Sequence, residues 1–275
     1  MGYQVVKVLN NNSVLAQSSE GNQVVLMSKG VGYGKKTGDP IRDGGEDQKT
    51  FYILDSSQNV SKLKKLGMEQ GSVELVTREI VEIAKKRLGL ENENLYGALL
   101  DHITFAIECL QMGLPIDNPF VGEISILYRE EYETAQIAAA VIKERLGVEI
   151  GEAETGFIAL HLCSARRNKH IRTAIKNTRV FSEILNMVSR YAGKSIDSSS
   201  AMATSFLLSL NQLIQSAAAG RQASMKLKNQ VRFGIPHDWN AAEEITGYIA
   251  RELNVSLGED AVAFLAVDIH KLVQM

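Results

Sequence analysis

The chain has 275 residues and only two cysteines, Cys109 and Cys163, with no CxxC spacing between them. That excludes a disulfide framework and a cysteine zinc site, and it fits a reducing cytoplasm. Four prolines and 6% aromatic residues lean toward a mostly helical body. No run of about 18 apolar residues occurs, so no membrane insertion is expected. The opening residues 1–13 lack the apolar core of a signal peptide. Charge of one sign is also lacking. Lys and Arg total 30, Asp and Glu 32, for a formal net charge of −2. A strongly basic polymer-coating protein is thereby excluded. What the chain does have is 45% apolar and 23% charged residues, close to globular averages and enough for a proper core. At about 150 residues per domain, two domains or three small ones are expected.

Residues 1–54 carry short runs rich in Val, Ile, Leu and Tyr, at Gln4–Leu9, Ser13–Gln17, Gln23–Met27 and Thr50–Leu54. Asn- and Gly-rich stretches separate them, with Ser19–Asn22 as a hairpin turn. This pattern predicts a small antiparallel sheet of about four strands. Such a sheet buries little surface, and dimerisation is the simplest remedy. From Ser72 the period becomes helical, with Val73, Val76, Ile80, Ile83, Ala84 and Leu88 on one face and Gly89 closing the helix. Further helices are predicted over Leu95–Met112, Tyr132–Leu146, Glu154–Asn168, Thr173–Tyr191, Ser198–Ala218, Ala241–Leu253 and Glu259–Val273. Ser256 and Glu259 have the spacing of a capping box opening the last one.

Residues 148–162 match 255–269 without gaps, at an offset of 107 residues. Ile142 and Leu146 map in the same register onto Ile249 and Leu253. A repeat of this length marks a duplicated domain, because solenoid units are about 20–50 residues long. The expected organisation is a β module over 1–55, a linker over 56–71, and helical modules over 72–170 and 171–275.

Chemistry-bearing residues are few. His102 and His161 each sit among apolar residues of a predicted helix, where a lone histidine is more often part of the core. Neither HExxH nor clustered Cys and His is present, so no metal is expected. GxSxG is absent, and Lys29–Lys36 lacks the spacing of a Walker loop. No catalytic residue and no cofactor are expected, and Cys163 reads as a small apolar residue. The stretch Lys29-Gly30-Val31-Gly32-Tyr33-Gly34-Lys35-Lys36 combines cations for phosphates with an aromatic that can stack on an unpaired base. Asn10-Asn11-Asn12 carries amides suited to base edges, or forms a plain turn. Lys35-Lys36 alone would read as a solvated pair.

Lys7-Val8-Leu9-Asn10-Asn11-Asn12 and Val24–Lys36, followed by two helical repeats, resemble the BglG/LicT family of transcriptional antiterminators over essentially the whole chain. The wording is most similar to the glucose-permease subgroup. The resemblance implies a multidomain chain: a small antiparallel β RNA-binding domain, then two all-α helical-bundle regulation domains answering to the sugar phosphotransferase system. It implies a homodimer that clamps an RNA hairpin overlapping a terminator, and so lets transcription continue. It places RNA contacts at Lys7, Asn10, Asn12, Ser28, Lys29 and Tyr33. Ser28 and Lys29 stand where well-known members carry Gly-Arg, and Lys lacks the planar fork of Arg. It places phosphoacceptors at His102 and His161, modified by the enzyme IIB domain of a sugar permease to inhibit the protein.

In the second regulation domain the family's histidine positions fall on Ser205 and Asp268. Neither forms phosphohistidine, so activation through the carrier protein HPr is in question for this chain. His270, two residues beyond Asp268, is expected to face another side of its helix. Asp268 would be either a permanent charge in place of a phosphate or part of a dimerisation scaffold. Two rival classes are a phosphohistidine relay enzyme and a scaffold without RNA activity. The chain is not expected to be an enzyme, since its histidines would be another enzyme's substrates. The near-zero net charge hides an asymmetry: residues 1–38 carry +3 and residues 39–55 carry −3. That favours a short, shape-selected RNA site over nonspecific coating.

Overall fold

The computed structural model describes residues 2–10, 13–19, 21, 23–27, 31–42, 49–52, 70–111, 116–198, 200–221 and 223–274. Among them, strands β1 (Gly2–Asn10), β2 (Ser13–Ser18), β3 (Gln23–Met27), β4 (Pro40–Arg42) and β5 (Lys49–Tyr52) form one sheet in the order β4-β1-β2-β3-β5. All neighbours are antiparallel. Val14 and Ala16 of β2 and Val24 and Leu26 of β3 alternate onto one face and form its core with Val5 and Ile41. Val8 packs against the same core although it lies an odd number of residues from Val5. The register shift between Val5 and Lys7 explains this, because one extra residue returns β1 to the buried face. The β2–β3 turn is closed by Gly21, whose amide donates to the Ser18 carbonyl at 3.0 Å, with φ of +87°.

The sheet has one strand more than the alternation predicts. β4 is three residues long, too short to show a period, and proline is tolerated because Pro40 opens an edge strand. The last strand ends at Tyr52, and Ile53 and Leu54 lie outside the described residues, as does most of the expected linker.

Ten helices are described: α1 (Gln70–Leu88), α2 (Leu95–Gln111), α3 (Val121–Leu127), α4 (Arg129–Leu146), α5 (Gly151–Arg166), α6 (Ile171–Ala192), α7 (Ala201–Ala218), α8 (Lys228–Gly234), α9 (Pro236–Leu253) and α10 (Glu259–Val273). Shifting α3 by 107 residues gives the bounds of α8, and shifting α4 gives those of α9. The same shift carries the end of α2 onto the end of α7. The duplication therefore extends over five helices per copy.

Sequence periodicity misses α3 and α8 because seven residues make two turns, too few for an apolar stripe. Each breaks from the following long helix at one residue, Tyr128 or Ile235, whose amide still bonds back to the carbonyl four residues earlier. α4 and α9 end in the same left-handed backbone, at Gly147 (φ +68°) and Asn254 (φ +55°). The expected capping box is corrected: Gly258 occupies the cap of α10, no side chain caps it, and Glu259 is already the first helical residue. Ser200 caps α7, its Oγ accepting from the Ala203 amide at 3.1 Å, which moves the predicted start from Ser198.

The chain divides into two compact units: residues 1–85, 93–117 and 138–154, and residues 86–92, 118–137 and 155–275. In the first, α2 lies against β1. In the second, α10 packs on α9, α7, α8 and α6, and α3 packs on α6 and α7. The interior of this second unit includes Phe206, Leu207, Leu210, Ile245, Ile249, Leu265 and Ile269, all buried. Among the described residues, no helix is long and apolar enough to cross a membrane.

Candidate RNA-binding loop and phosphoacceptor positions

The glycine-rich stretch forms a turn after β3, with the Lys35 amide donating to the Gly32 carbonyl at 3.2 Å and Gly34 at φ +70°. Its second half is tied to β1. The Gly38 amide donates to the Val5 carbonyl at 2.8 Å, the Val5 amide to the Asp39 carbonyl at 2.9 Å, and Thr37 Oγ1 to the Val6 carbonyl at 3.1 Å. Asp39 Oδ2 accepts from the Lys36 amide at 2.8 Å. A mobile-looking glycine sequence is thereby fixed on the sheet, and Tyr33 is left 76% exposed at its tip. Lys36 is exposed as well, whereas Lys35 Nζ donates to the Pro40 carbonyl at 3.2 Å.

Lys7 is exposed on β1 opposite Leu15, just past the bulge. Its ammonium opposes the rise that burial imposes on the Glu108 carboxyl of α2. Asn10 ends β1 opposite Ser13. Asn12, Ser28 and Lys29 lie outside the described residues. Thr37 and Asp39 escaped the sequence reading because their roles arise only from the return of the loop to β1.

His102 lies mid-way along α2, its side chain only 12% exposed, with Nε2 3.1 Å from Oε2 of Glu154. Glu154 stands in the first turn of α5 and is buried. Sequence reasoning missed this carboxylate. The available signal was an acid on a stripe that otherwise carries buried residues, Ile158 and Leu162 among them. His161 follows on α5, half-buried between the buried Leu160 and Leu162.

The second copy places Asp268 where the first has His161, in the ungapped register. Ser205 is exposed on α7, and the offset of 107 puts Ser209 at the position of His102. Ser209 Oγ donates to Asp268 Oδ2 at 2.5 Å. The counterpart of His102 is thus corrected from Ser205 to Ser209. The two serines are one helical turn apart, so stripe matching cannot separate their registers, but the shared ends of α2 and α7 do. Lys271 Nζ lies 3.3 Å from the other oxygen of Asp268.

The cysteines are buried and free. Burial first, then the charges of Glu154 and Glu108, push the Cys109 thiol up to about 12. Burial pushes Cys163 up to about 11. Thiols held in this form are poor nucleophiles and ligands. Among the described residues, no group of three His, Cys, Asp or Glu side chains is placed to hold a metal.

A strand module with a presented aromatic loop, followed by a duplicated five-helix module whose first copy carries His102 and His161, defines an RNA-binding regulator of modular type. The comparisons agree: the CAT RNA binding domain family matches residues 3–60, and the PRD domain family matches residues 78–165. The chain is 31% identical to the transcription antiterminator LicT of Bacillus subtilis (strain 168), over 98% of this chain and 99% of that protein. It is 31% identical to the beta-glucoside operon antiterminator of Dickeya chrysanthemi, over 98% and 96%. Against protein GlcT of Staphylococcus epidermidis the identity is 28%, over 98% and 96%. A crystal structure of GlcT CAT-PRDI is 36% identical, covering 60% of this chain and 98% of that one, with a TM-score of 0.34. The chain belongs to the BglG/LicT family of transcriptional antiterminators.

Proposed function

We propose that this chain is an RNA-binding antiterminator that stabilises a hairpin in the leader of a sugar-phosphotransferase operon. The observation that carries this is the loop of residues 31–39, hydrogen-bonded to β1 so that Tyr33 and Lys36 project from a fixed base. An aromatic held exposed by a rigid support pays little ordering entropy when a base stacks on it. Lys7, Asn10, Asn12, Ser28, Lys29 and Tyr33 supply the RNA contacts, and a homodimer of residues 1–55 presents them twice. The helical modules span 72–170 and 171–275.

The enzyme IIB domain of a permease, glucose being the first choice, phosphorylates His102 and His161 and inhibits the protein in the cytoplasm. A phosphoryl group adds roughly −1.5 to −2 charges. At His102 it meets the Glu154 carboxylate, 3.1 Å from Nε2 in the resting state, and drives α2 and the start of α5 apart. In the second module Ser209 and Asp268 form a standing hydrogen bond where two acceptors are expected, so activity does not require HPr phosphate at these positions.

The test is binding to the hairpin of the operon leader across a salt series. Affinity should fall steeply with salt. Tyr33→Ala and Lys29→Ala should each weaken binding by about tenfold, the scale of one stacked base or one charge-assisted contact. Unchanged affinity in both variants would exclude this site.

A further inference from the structure

The two helical copies carry opposite charge over one stretch of equal length. Residues 198–237 hold Arg221, Lys226, Lys228 and Arg232 and no Asp or Glu, for +4. The residues 107 positions earlier, 91–130, hold seven acids and Arg129 alone, for −6. The positive stretch runs through α7 and α8.

Its four cations are not equivalent. Lys228 Nζ lies 3.1 Å from Glu259 and 3.5 Å from Asp260, so its charge is already balanced. Arg232 lies over the Trp239 ring, 5.4 Å from the centroid. Lys226 is exposed. Arg221 forms no ion pair with a described residue, and its backbone is fixed. Gly220 ends α7 at φ +72°, and the Arg221 amide donates to the Ser216 carbonyl at 2.9 Å.

Arg221 lines a cavity of about 450 Å³ together with Ser209, Gln212 and Ser216 of α7, Phe264 of α10, and Ser224. That volume lies in the range that holds small molecules. The side chains of Gln212, Ser216 and Ser224 make no hydrogen bond to a described residue. Ser209 gives its proton to Asp268, which leaves its oxygen able to accept. At the places of Gln212 and Ser216 the first copy has Phe105 and Cys109, both buried. The polar wall is therefore particular to the second copy.

Each group selects part of a ligand. An unpaired guanidinium takes two phosphate oxygens through parallel N–H bonds. Neutral hydroxyls and an amide both donate and accept, which matches alcohols better than a second charge. A half-buried aromatic covers the C–H face of a single ring. One unbalanced cation suits one phosphate monoester. A nucleoside diphosphate would meet Lys228 already committed to two carboxylates.

We propose that this cavity of the second helical module binds a monophosphorylated sugar. The phosphate sits on Arg221, the hydroxyls meet Gln212, Ser216 and Ser224, and the ring lies against Phe264. The ligand joins α7 to α10 and so stabilises the second module. A phosphoryl transfer to a sugar hydroxyl must supply such a ligand. Its regulatory meaning rests on the reading of this chain as a regulator of a sugar-phosphotransferase operon: the first module answers to the phosphoryl donor, and the second to the phosphorylated product.

Isothermal titration calorimetry on the full chain tests this with glucose 6-phosphate, glucose and inorganic phosphate as probes. Glucose 6-phosphate should bind with a Kd below about 1 mM. Glucose and inorganic phosphate should each bind at least about tenfold more weakly, since each lacks half of the recognised groups. This comparison of probes needs no variant to fold. Arg221→Gln, at an exposed position, should weaken glucose 6-phosphate by at least about tenfold and leave glucose unchanged, as loss of a charge-assisted contact predicts. Gln212→Phe fills the cavity with the residue of the first copy and should abolish binding. Absence of binding at about 1 mM glucose 6-phosphate overturns the proposal. Equal affinity for inorganic phosphate makes the cavity a bare anion site and also overturns it. Indifference to Arg221→Gln places the ligand elsewhere, with the same consequence. Hairpin binding is read separately on the same protein. Its success without sugar phosphate binding defeats this inference alone, and its failure defeats the function on which the regulatory meaning rests.

Discussion

In the first helical copy, His102 faces the buried Glu154, His161 follows two turns later, and Cys163 is sealed inside. In the second, the residues at the same offset are Ser209, Ala261, Asp268 and His270. The acid has moved seven residues along the last helix, from the place of Glu154 to the place of His161. It stays on one face because seven residues are close to two turns. Each copy therefore sets one carboxylate against the middle of its second helix, through a histidine in one case and a serine in the other. The backbone of the duplication is retained while the titratable groups are redistributed. The first copy keeps histidines at the two positions, and the second joins its two corresponding positions by a direct hydrogen bond.

The comparison is broken or sharpened most strongly by the core. Ile142 and Ile249 are related by the offset and fully buried. Truncation of either to alanine should cost about 2–5 kcal/mol in denaturant unfolding of the full chain. Similar losses support equivalent packing, and a cost below about 1 kcal/mol at one site would break it.

Next come the switch positions. His102→Ala and His161→Ala should relieve sugar-controlled inhibition by about tenfold in a leader reporter, within the usual range of allosteric coupling. Asp268→Ala should leave that response in place. Equal effects from both copies would end the asymmetry.

Alkaline pH should act on the first copy in particular, since it holds both cysteines. Their folded values, about 12 and about 11, lie above the ordinary 9.0. The native state thus prefers the protonated thiols. Their contribution is complete below pH 9 and is lost as pH rises from there toward 11 and 12. The slope is about 1.4 kcal/mol per pH unit for each group. Unfolding measured between pH 8 and 10.5 should show the decline, and Cys109→Ala with Cys163→Ala should flatten it.

The smallest effect decides a register. Ser209→Ala removes a partly buried bond to Asp268 and should cost about 1 kcal/mol. Ser205→Ala, on the exposed side of α7, should change stability by less than about 0.5 kcal/mol. The reverse order would restore Ser205 as the counterpart of His102.

Much of the fold was legible in the sequence because long amphipathic stretches declare their period. α1, α2 and α10 fall within about two residues of the predicted bounds. Short elements do not declare themselves. β4, α3 and α8 are stabilised by what they pack on, and three to seven residues carry too little pattern. The candidate site divides in the same way. Tyr33, His102, His161 and Asp268 were visible as residue types in a recognisable order. Glu154 was not, because it is an ordinary helix residue until another helix brings its partner within 3.1 Å.

By itself the sequence determined that a β module precedes a duplicated helical module, since apolar period and a gapless repeat are properties of the chain. It also determined that the second copy lacks the histidines of the first. Tertiary structure alone decided that Ser209 rather than Ser205 meets Asp268, and that His270, on the neglected side of α10, lies against a buried carboxylate. The physical reason is that hydrogen bonds and burial act over about 3 Å between segments 32 to 59 residues apart. No local pattern along the chain encodes such a distance.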